Sequence, residues 1–118
     1  MKVIRTLLLS GLLGGCSIWD IATPFTKNLP PPRVPDGVSA HRDNVFAERP
    51  ERDLELDLFV PDDVHRPPVV VYVFGGGYFM GSRHSVAQEP AIWEQLQRGF
   101  AVASVDYRYS SEALFPAQ

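Results

Sequence analysis

Hydrophobic and polar residues alternate along residues 53–60, where the sequence reads D-L-E-L-D-L-F-V. This period of two predicts a β-strand with one buried apolar face and one wet face, which carries Glu55 and Asp57. Such a strand is typical of an antiparallel position near the edge of a sheet. The residues assigned to the apolar face are Leu54, Leu56, Leu58 and Val60.

Two continuous apolar runs follow, at residues 69–74 and 100–105. Runs that are rich in β-branched and aromatic residues predict strands covered on both faces. Between them, residues 85–98 have helical spacing, with Pro90 suited to a first turn and Gly99 to the stop. A strand, a helix and a strand of these lengths form a βαβ unit and a parallel pair. The predicted fold class is therefore α/β, with antiparallel strands leading into a mostly parallel sheet.

That sheet is incomplete in the sequence at hand. A parallel sheet needs cover on both faces, and a single crossover helix supplies only one of them. We therefore expect residues 43–118 to be the N-terminal, truncated part of a larger domain. A small complete domain is the alternative, and it would leave its main strands open.

The composition of the chain argues against several kinds of binding partner. The 118 residues are 45% hydrophobic and 21% charged, with a formal net charge of −3 and no basic run. Nucleic-acid binding is therefore not expected, because Lys and Arg dominate contacts to phosphate. The single cysteine, Cys16, excludes a disulfide within the chain, and no Cys/His cluster has metal-ligand spacing. We expect neither a metal nor a cofactor.

The N-terminus has the features of an export signal. Residues 1–5 are basic, and residues 6–13 are apolar but too few to cross a membrane as a helix. Residues 13–16, L-G-G-C, resemble the lipobox of bacterial lipoproteins, which implies a signal peptide at 1–15 and lipidation of Cys16. Ser17 after the cysteine resembles lipoproteins sent to the outer membrane, facing the periplasm. An ordinary signal with an incidental cysteine is the alternative.

A proline-rich segment follows the cysteine. Proline lacks a backbone N–H group and favours extended conformations, so residues 16–42 are predicted to form a semi-rigid tether before the domain at 43–118. Its prolines are Pro24, Pro30, Pro31, Pro32 and Pro35.

Residues 74–82, F-G-G-G-Y-F-M-G-S, join the first apolar run to the predicted helix. Consecutive glycines allow close backbone approach, and successive free N–H groups stabilise negative charge. One interpretation is a dinucleotide loop, but G-x-G-x-x-G counted from Gly75 needs glycine where Met80 stands. A flexible connector without chemistry is another interpretation.

Three motifs together resemble one family. The glycine run, V-A-S-V-D-Y-R at 102–108 and S-E-A-L-F-P-A-Q at 111–118 are similar to segments of α/β-hydrolases. The similarity is to esterases and lipases of the hormone-sensitive-lipase and feruloyl/acetyl-xylan-esterase type. It implies that the glycine run is an oxyanion hole, with N–H donors at Gly76 and Gly77.

The resemblance also implies supporting roles. Gly75 would permit the turn, and Tyr78 would line the acyl or alcohol pocket. Phe74 stands where the family usually has a histidine that pins the loop. Asp106 and Arg108 match positions that hold the loop from beneath. The implied substrate is a small-molecule or polysaccharide-linked ester.

The nucleophile that the family requires is missing from these residues. No G-x-S-x-G motif occurs, and residues 81–85, G-S-R-H-S, lack its final glycine. The serine, acid and histidine of such enzymes are expected after Gln118, so the chain alone is predicted to be inactive. A non-catalytic lipoprotein domain that binds an anionic or carbonyl ligand is the second hypothesis. A dinucleotide-binding oxidoreductase is the third.

Overall fold

The computed structural model describes residues 29–118, which form a mixed four-stranded sheet with the order β1-β2-β4-β3. β2 is antiparallel to both β1 and β4, and β3 is parallel to β4. This arrangement confirms the predicted α/β class, in which antiparallel strands lead into a parallel pair. The strands are β1 (Val38–Ala47), β2 (Leu54–Pro61), β3 (Val69–Val73) and β4 (Ala101–Val105).

β1 has no counterpart among the predicted strands, and it begins at Val38, inside the segment assigned to the tether. Its pairing with β2 shifts register between His41 and Asn44, and Asp43 has a φ of 54°. This irregularity interrupts the alternation by which a strand is recognised. The signal peptide, Cys16 and the tether up to residue 28 lie outside the described residues.

The sheet has two unlike faces. The covered face carries Asp57 and Phe59 of β2 and their partners in register on β4, Ser104 and Val102, and it packs against residues 83–98. The open face carries the side chains that alternate with these. Its members are Leu56, Leu58, Val69, Val71, Val73, Ala101, Ala103 and Val105.

The prediction of a wet acidic face on β2 was wrong. Asp57 is 1% exposed and Phe59 is fully buried, whereas Leu56 and Leu58 are only partly buried. The prediction that residues 69–74 are covered on both faces was also wrong for the described residues, because Val71 is 60% exposed. The segment at 83–98 covers one face, and no described element packs on the other.

The predicted helix at 85–98 is broken into short pieces. They are a 3-10 turn (Arg83–Gln88), α1 (Pro90–Trp93) and a second 3-10 turn (Leu96–Arg98). Glu89 has φ −111° and ψ 83° because the ring of the following Pro90 disfavours a helical conformation there. Gly99 ends the segment in the left-handed region, as the sequence predicts. Trp93 still packs edge-on against Phe59, with ring centroids 4.9 Å apart.

Candidate active site

The glycine loop leaves the C-terminal end of β3 and turns back on itself within a few residues. The N–H groups of Phe79 and Met80 both donate to the carbonyl of Gly76, at 3.1 and 3.2 Å. Gly76 has a φ of 141°, and a Cβ there would lie 1.9 Å from the carbonyl oxygen of Met80. No other residue fits this position. The turn therefore depends on Gly76, whereas a Cβ on Gly75 would meet nothing within 4 Å.

Gly77 and Tyr78 continue the loop in the left-handed region, with φ of 59° and 64°. A left-handed conformation is uncommon for an aromatic residue and costs of order 1–3 kcal/mol, so surrounding contacts must hold it. The carbonyl of Tyr78 accepts a 2.8 Å hydrogen bond from the N–H of Ser110. Backbone strain at Tyr78 is typical of a functional loop.

The N–H groups of Gly76 and Gly77 take no part in the hydrogen bonds of the turn. Among residues 29–118, neither group donates a hydrogen bond, in contrast to those of Phe79 and Met80. Successive backbone N–H groups without an internal acceptor form a concavity that stabilises negative charge. The two predicted donors therefore have no acceptor in the part of the chain that the structure describes.

Three aromatic side chains, Phe74, Tyr107 and Tyr109, form an aromatic cluster behind this loop. The rings of Phe74 and Tyr107 are stacked, with centroids 4.4 Å apart and an interplanar angle of 25°. The Tyr107 hydroxyl donates to the carbonyl of Phe74 at 3.1 Å, and the Tyr109 hydroxyl donates to the carbonyl of Gly81 at 2.8 Å. Both ends of the loop are therefore bonded to the segment after β4.

The two hydroxyls remain protonated over the whole neutral range. Burial raises the pKa of Tyr107, with smaller contributions from neighbouring tyrosines and Asp106. Burial, and then the negative charge of Asp106, raise the pKa of Tyr109 to about 12. Both groups therefore keep the proton that they donate to the loop.

A buried arginine lies directly after the loop. The guanidinium of Arg83, 11% exposed, contacts Asp57 Oδ1 at 3.1 Å and Asp106 Oδ2 at 3.0 Å. It also contacts Glu55 Oε2 at 2.9 Å, and it pairs with Asp43. Burial lowers the pKa of Arg83, but the charges of Asp106 and Asp57 outweigh it and the net shift is upward. Arg83 thus joins the loop exit to β1, to β2 and to the residue that follows β4.

Arg52 is the second arginine of a charge cluster, which consists of Arg52, Arg83 and the acidic residues that they contact. Its side chain donates to Glu112 Oε1 at 2.8 Å, to Asp106 Oδ2 at 3.1 Å and to the carbonyl of Tyr107 at 2.8 Å. Asp106 Oδ2 therefore bridges two arginines, Arg52 and Arg83. The other Glu112 oxygen accepts the N–H of Tyr109 at 2.9 Å.

The glycine loop and the aromatic cluster behind it fall within one family match. A family model described as BD-FAE matches residues 56–118, from β2 to the last residue. The chain belongs to the BD-FAE family. No curated protein sequence matches the chain.

Solved structures agree with the family. The chain is similar to a bacterial heroin esterase, with 30% identity, 70% of this chain and 26% of that chain covered, and a TM-score of 0.53. It is also similar to esterase 2 of Thermogutta terrifontis, with 28% identity, 70% of this chain and 30% of that chain covered, and a TM-score of 0.52. An esterase/lipase from an uncultured bacterium, 19% identical with 92% and 34% covered and a TM-score of 0.59, shows the shared fold. The chain thus has part of an α/β-hydrolase fold and spans a quarter to a third of these structures.

Ser82 and His84, two polar residues of the G-S-R-H-S stretch, contact other groups. Ser82 is buried, and its hydroxyl accepts the backbone N–H of His84 at 3.2 Å. The His84 ring contacts the Leu29 carbonyl at 2.7 Å and Asp57 Oδ2 at 3.5 Å. Among residues 29–118, no serine hydroxyl is hydrogen-bonded to a histidine ring. The described part of this BD-FAE chain therefore holds no serine–histidine pair.

Sequence reasoning missed the charge cluster. Arg52, Arg83 and Asp57 carry it, and their partners are distant along the chain. One signal was present: Arg83 follows Gly81 by two residues, at the exit of a loop whose backbone must be held in place.

Proposed function

We propose that this chain supplies the oxyanion-binding part of a carboxylic ester hydrolase. The observation that carries the proposal is the pair of N–H groups at Gly76 and Gly77, which have no acceptor among residues 29–118. When a serine attacks an ester carbonyl, the carbonyl oxygen gains negative charge, and preorganised donors stabilise it. Loss of one such donor raises the barrier by about 2.7–4 kcal/mol.

The remaining catalytic groups would come from elsewhere in the fold. In α/β-hydrolases the serine lies in a G-x-S-x-G turn, followed in the chain by the acid and the histidine. Residues 1–118 contain no such motif. Without a nucleophile and a base no acyl-enzyme forms, so these residues alone are expected to be inert.

The substrate site would lie against the exposed aromatic side of the loop. Tyr78 and Phe79 are 53% and 55% exposed and follow the two donors directly. An aromatic surface beside an oxyanion site suits the apolar part of an ester, and Tyr78 would line the acyl or alcohol pocket. We propose a small-molecule or polysaccharide-linked ester as the substrate.

A chimeric enzyme tests this function. Residues 38–118, which begin at the start of β1, would replace the matching part of the bacterial heroin esterase, and hydrolysis of p-nitrophenyl acetate would be measured. We expect turnover well above that of the same chimera with its nucleophilic serine changed to alanine. A folded chimera with no such excess would overturn the proposal.

Two glycine variants locate the donors within that chimera. Gly76→Ala forces a Cβ into the Met80 carbonyl and displaces the loop, so we expect kcat to fall roughly 10²–10³-fold. Gly75→Ala is the matched control, because its Cβ meets nothing within 4 Å. Equal activity of the two variants would exclude this loop as the oxyanion site.

We also propose that the chain is an exported lipoprotein anchored through Cys16, in the outer membrane and facing the periplasm. The support is the L-G-G-C sequence at 13–16 after a short apolar run. Within residues 29–118, no helix combines the length and apolar character needed to cross a membrane. Labelling with radioactive palmitate tests the anchor. We expect label on the wild-type chain and none on Cys16→Ser; equal labelling would reject lipidation at Cys16.

A further inference from the structure

Phe74 stands immediately before the glycine run, at a position where the resemblance to esterases implies a histidine. Its side chain is 3% exposed and lies between the entry and the exit of the glycine loop. On one side it stacks on Tyr107. On the other it lies against the exit, because a Cβ on Gly81 would be 2.4 Å from the Phe74 ring. A phenyl ring forms no hydrogen bond, so it holds the loop by packing alone.

The polar contacts come instead from the segment after β4. The Tyr107 hydroxyl donates to the Phe74 carbonyl, immediately before Gly75, and the Tyr109 hydroxyl donates to the Gly81 carbonyl. The N–H of Ser110 donates to the carbonyl of Tyr78 at the far side of the loop. Three successive contacts therefore tie the loop to one segment.

We propose that Phe74 and Tyr107 are positioning residues that set where the Gly76 and Gly77 N–H groups point. Tyr107 is bound to Phe74 twice, through its ring and through its hydroxyl. The start of the loop is thus held both by packing of the Phe74 ring and by the hydrogen bond from Tyr107. The catalytic part of this inference rests on the proposed function. The positioning of the loop by these two residues can be tested without any catalysis.

Amide hydrogen exchange on the full chain tests the proposal without any turnover. The reporter is the N–H of Met80, which donates to the Gly76 carbonyl and is released when the turn opens. The reference is the N–H of Ala101, which donates to the Pro68 carbonyl beside the sheet. The ratio of the two exchange rates separates opening of the loop from unfolding of the whole domain.

Phe74→Leu removes the ring stack and keeps an apolar side chain. We expect the Met80 amide to exchange roughly two- to tenfold faster relative to Ala101, which is the range that aromatic pair energies convert to. Leu96→Ala is the control, since Leu96 is a buried member of the hydrophobic core outside the aromatic cluster. We expect it to destabilise the whole domain without raising the Met80-to-Ala101 ratio of exchange rates. Equal acceleration of both amides by Phe74→Leu would overturn the proposal and make Phe74 an ordinary core residue.

Two Tyr107 variants keep the test decisive if Phe74→Leu does not fold. Tyr107→Phe keeps the ring stack on Phe74 and loses the hydroxyl hydrogen bond. Tyr107→Leu loses the ring stack and the hydrogen bond. We expect the ratio to rise in both variants and to rise more in Tyr107→Leu; an unchanged ratio in both would overturn the proposal. Failure here would leave the ester-hydrolase proposal standing, and an inactive chimera with normal exchange ratios would refute only that function.

Discussion

The two faces of the sheet reverse the usual relation between residue type and burial. On the covered face, Asp57 is 1% exposed beside fully buried Phe59. On the open face, Val69, Val71 and Val73 are each more than half exposed. The difference shows that the element packed across a strand decides burial, and that an acidic side chain can be buried when a fixed cation lies opposite to it.

That cation is Arg83. Taking a carboxylate out of water costs several kcal/mol unless charge and hydrogen bonds compensate for it. Asp57 Oδ1 receives hydrogen bonds from Arg83 and from the N–H of Asp43. Asp57 Oδ2 has no hydrogen bond from the described residues, and Arg42 Nη1 lies 3.7 Å away. The covered face is therefore sensitive to any change in its charges, whereas the open face is not.

Removing the guanidinium of Arg83 should have the largest effect on the free energy of unfolding. Arg83→Met leaves Asp57 and Asp106 buried beside each other without their shared partner, so we expect a loss of about 3–5 kcal/mol of unfolding free energy. Urea unfolding measures it. Arg98→Met, at an exposed position, is the control and should change stability by no more than about 0.5 kcal/mol. Similar losses in both variants would show that Arg83 does not stabilise the covered face.

Equal truncations on the two faces should come next in size. Val102 is fully buried on the covered face and Val71 is 60% exposed on the open one. We expect Val102→Ala to cost about 2 kcal/mol and Val71→Ala well under half of that, because only the first leaves a cavity. Thermal and urea unfolding of the pair would measure the difference. Equal costs would mean that the open face is also packed in solution.

Alkaline pH should have the smallest effect. The unfolded chain ionises Tyr109 near its ordinary pKa of 10.0, whereas burial raises the folded pKa to about 12. Between these values the unfolded state binds fewer protons, so stability is full below pH 10 and falls as pH rises towards 12. We expect a loss of the order of 1–2 kcal/mol across this window. In Tyr109→Phe, most of this dependence of unfolding free energy on pH should disappear. An unchanged dependence would show that other groups cause it.

Much of this architecture follows from local pattern. The alternation in β2, the apolar runs of β3 and β4, and the left-handed Gly99 each depend on residues close together in the chain. The broken crossover segment also had a local signal, because Pro90 restricts the residue before it. The glycine run, the D-Y-R segment and the F-P-A stretch together indicated an esterase family, and the BD-FAE match confirms it.

Tertiary structure alone decided which face of β2 is buried and what holds the glycine loop. Arg83 meets Asp57 across 26 residues, and Tyr107 meets Phe74 across 33. No periodicity encodes such pairings, because they depend on how the crossover segment and the chain after β4 fold back over the strands. The sequence determined that Gly76 and Gly77 could form an anion-binding turn. The folded chain determined that buried Phe74 stacks on Tyr107, and that the Tyr107 hydroxyl donates to the carbonyl immediately before that turn.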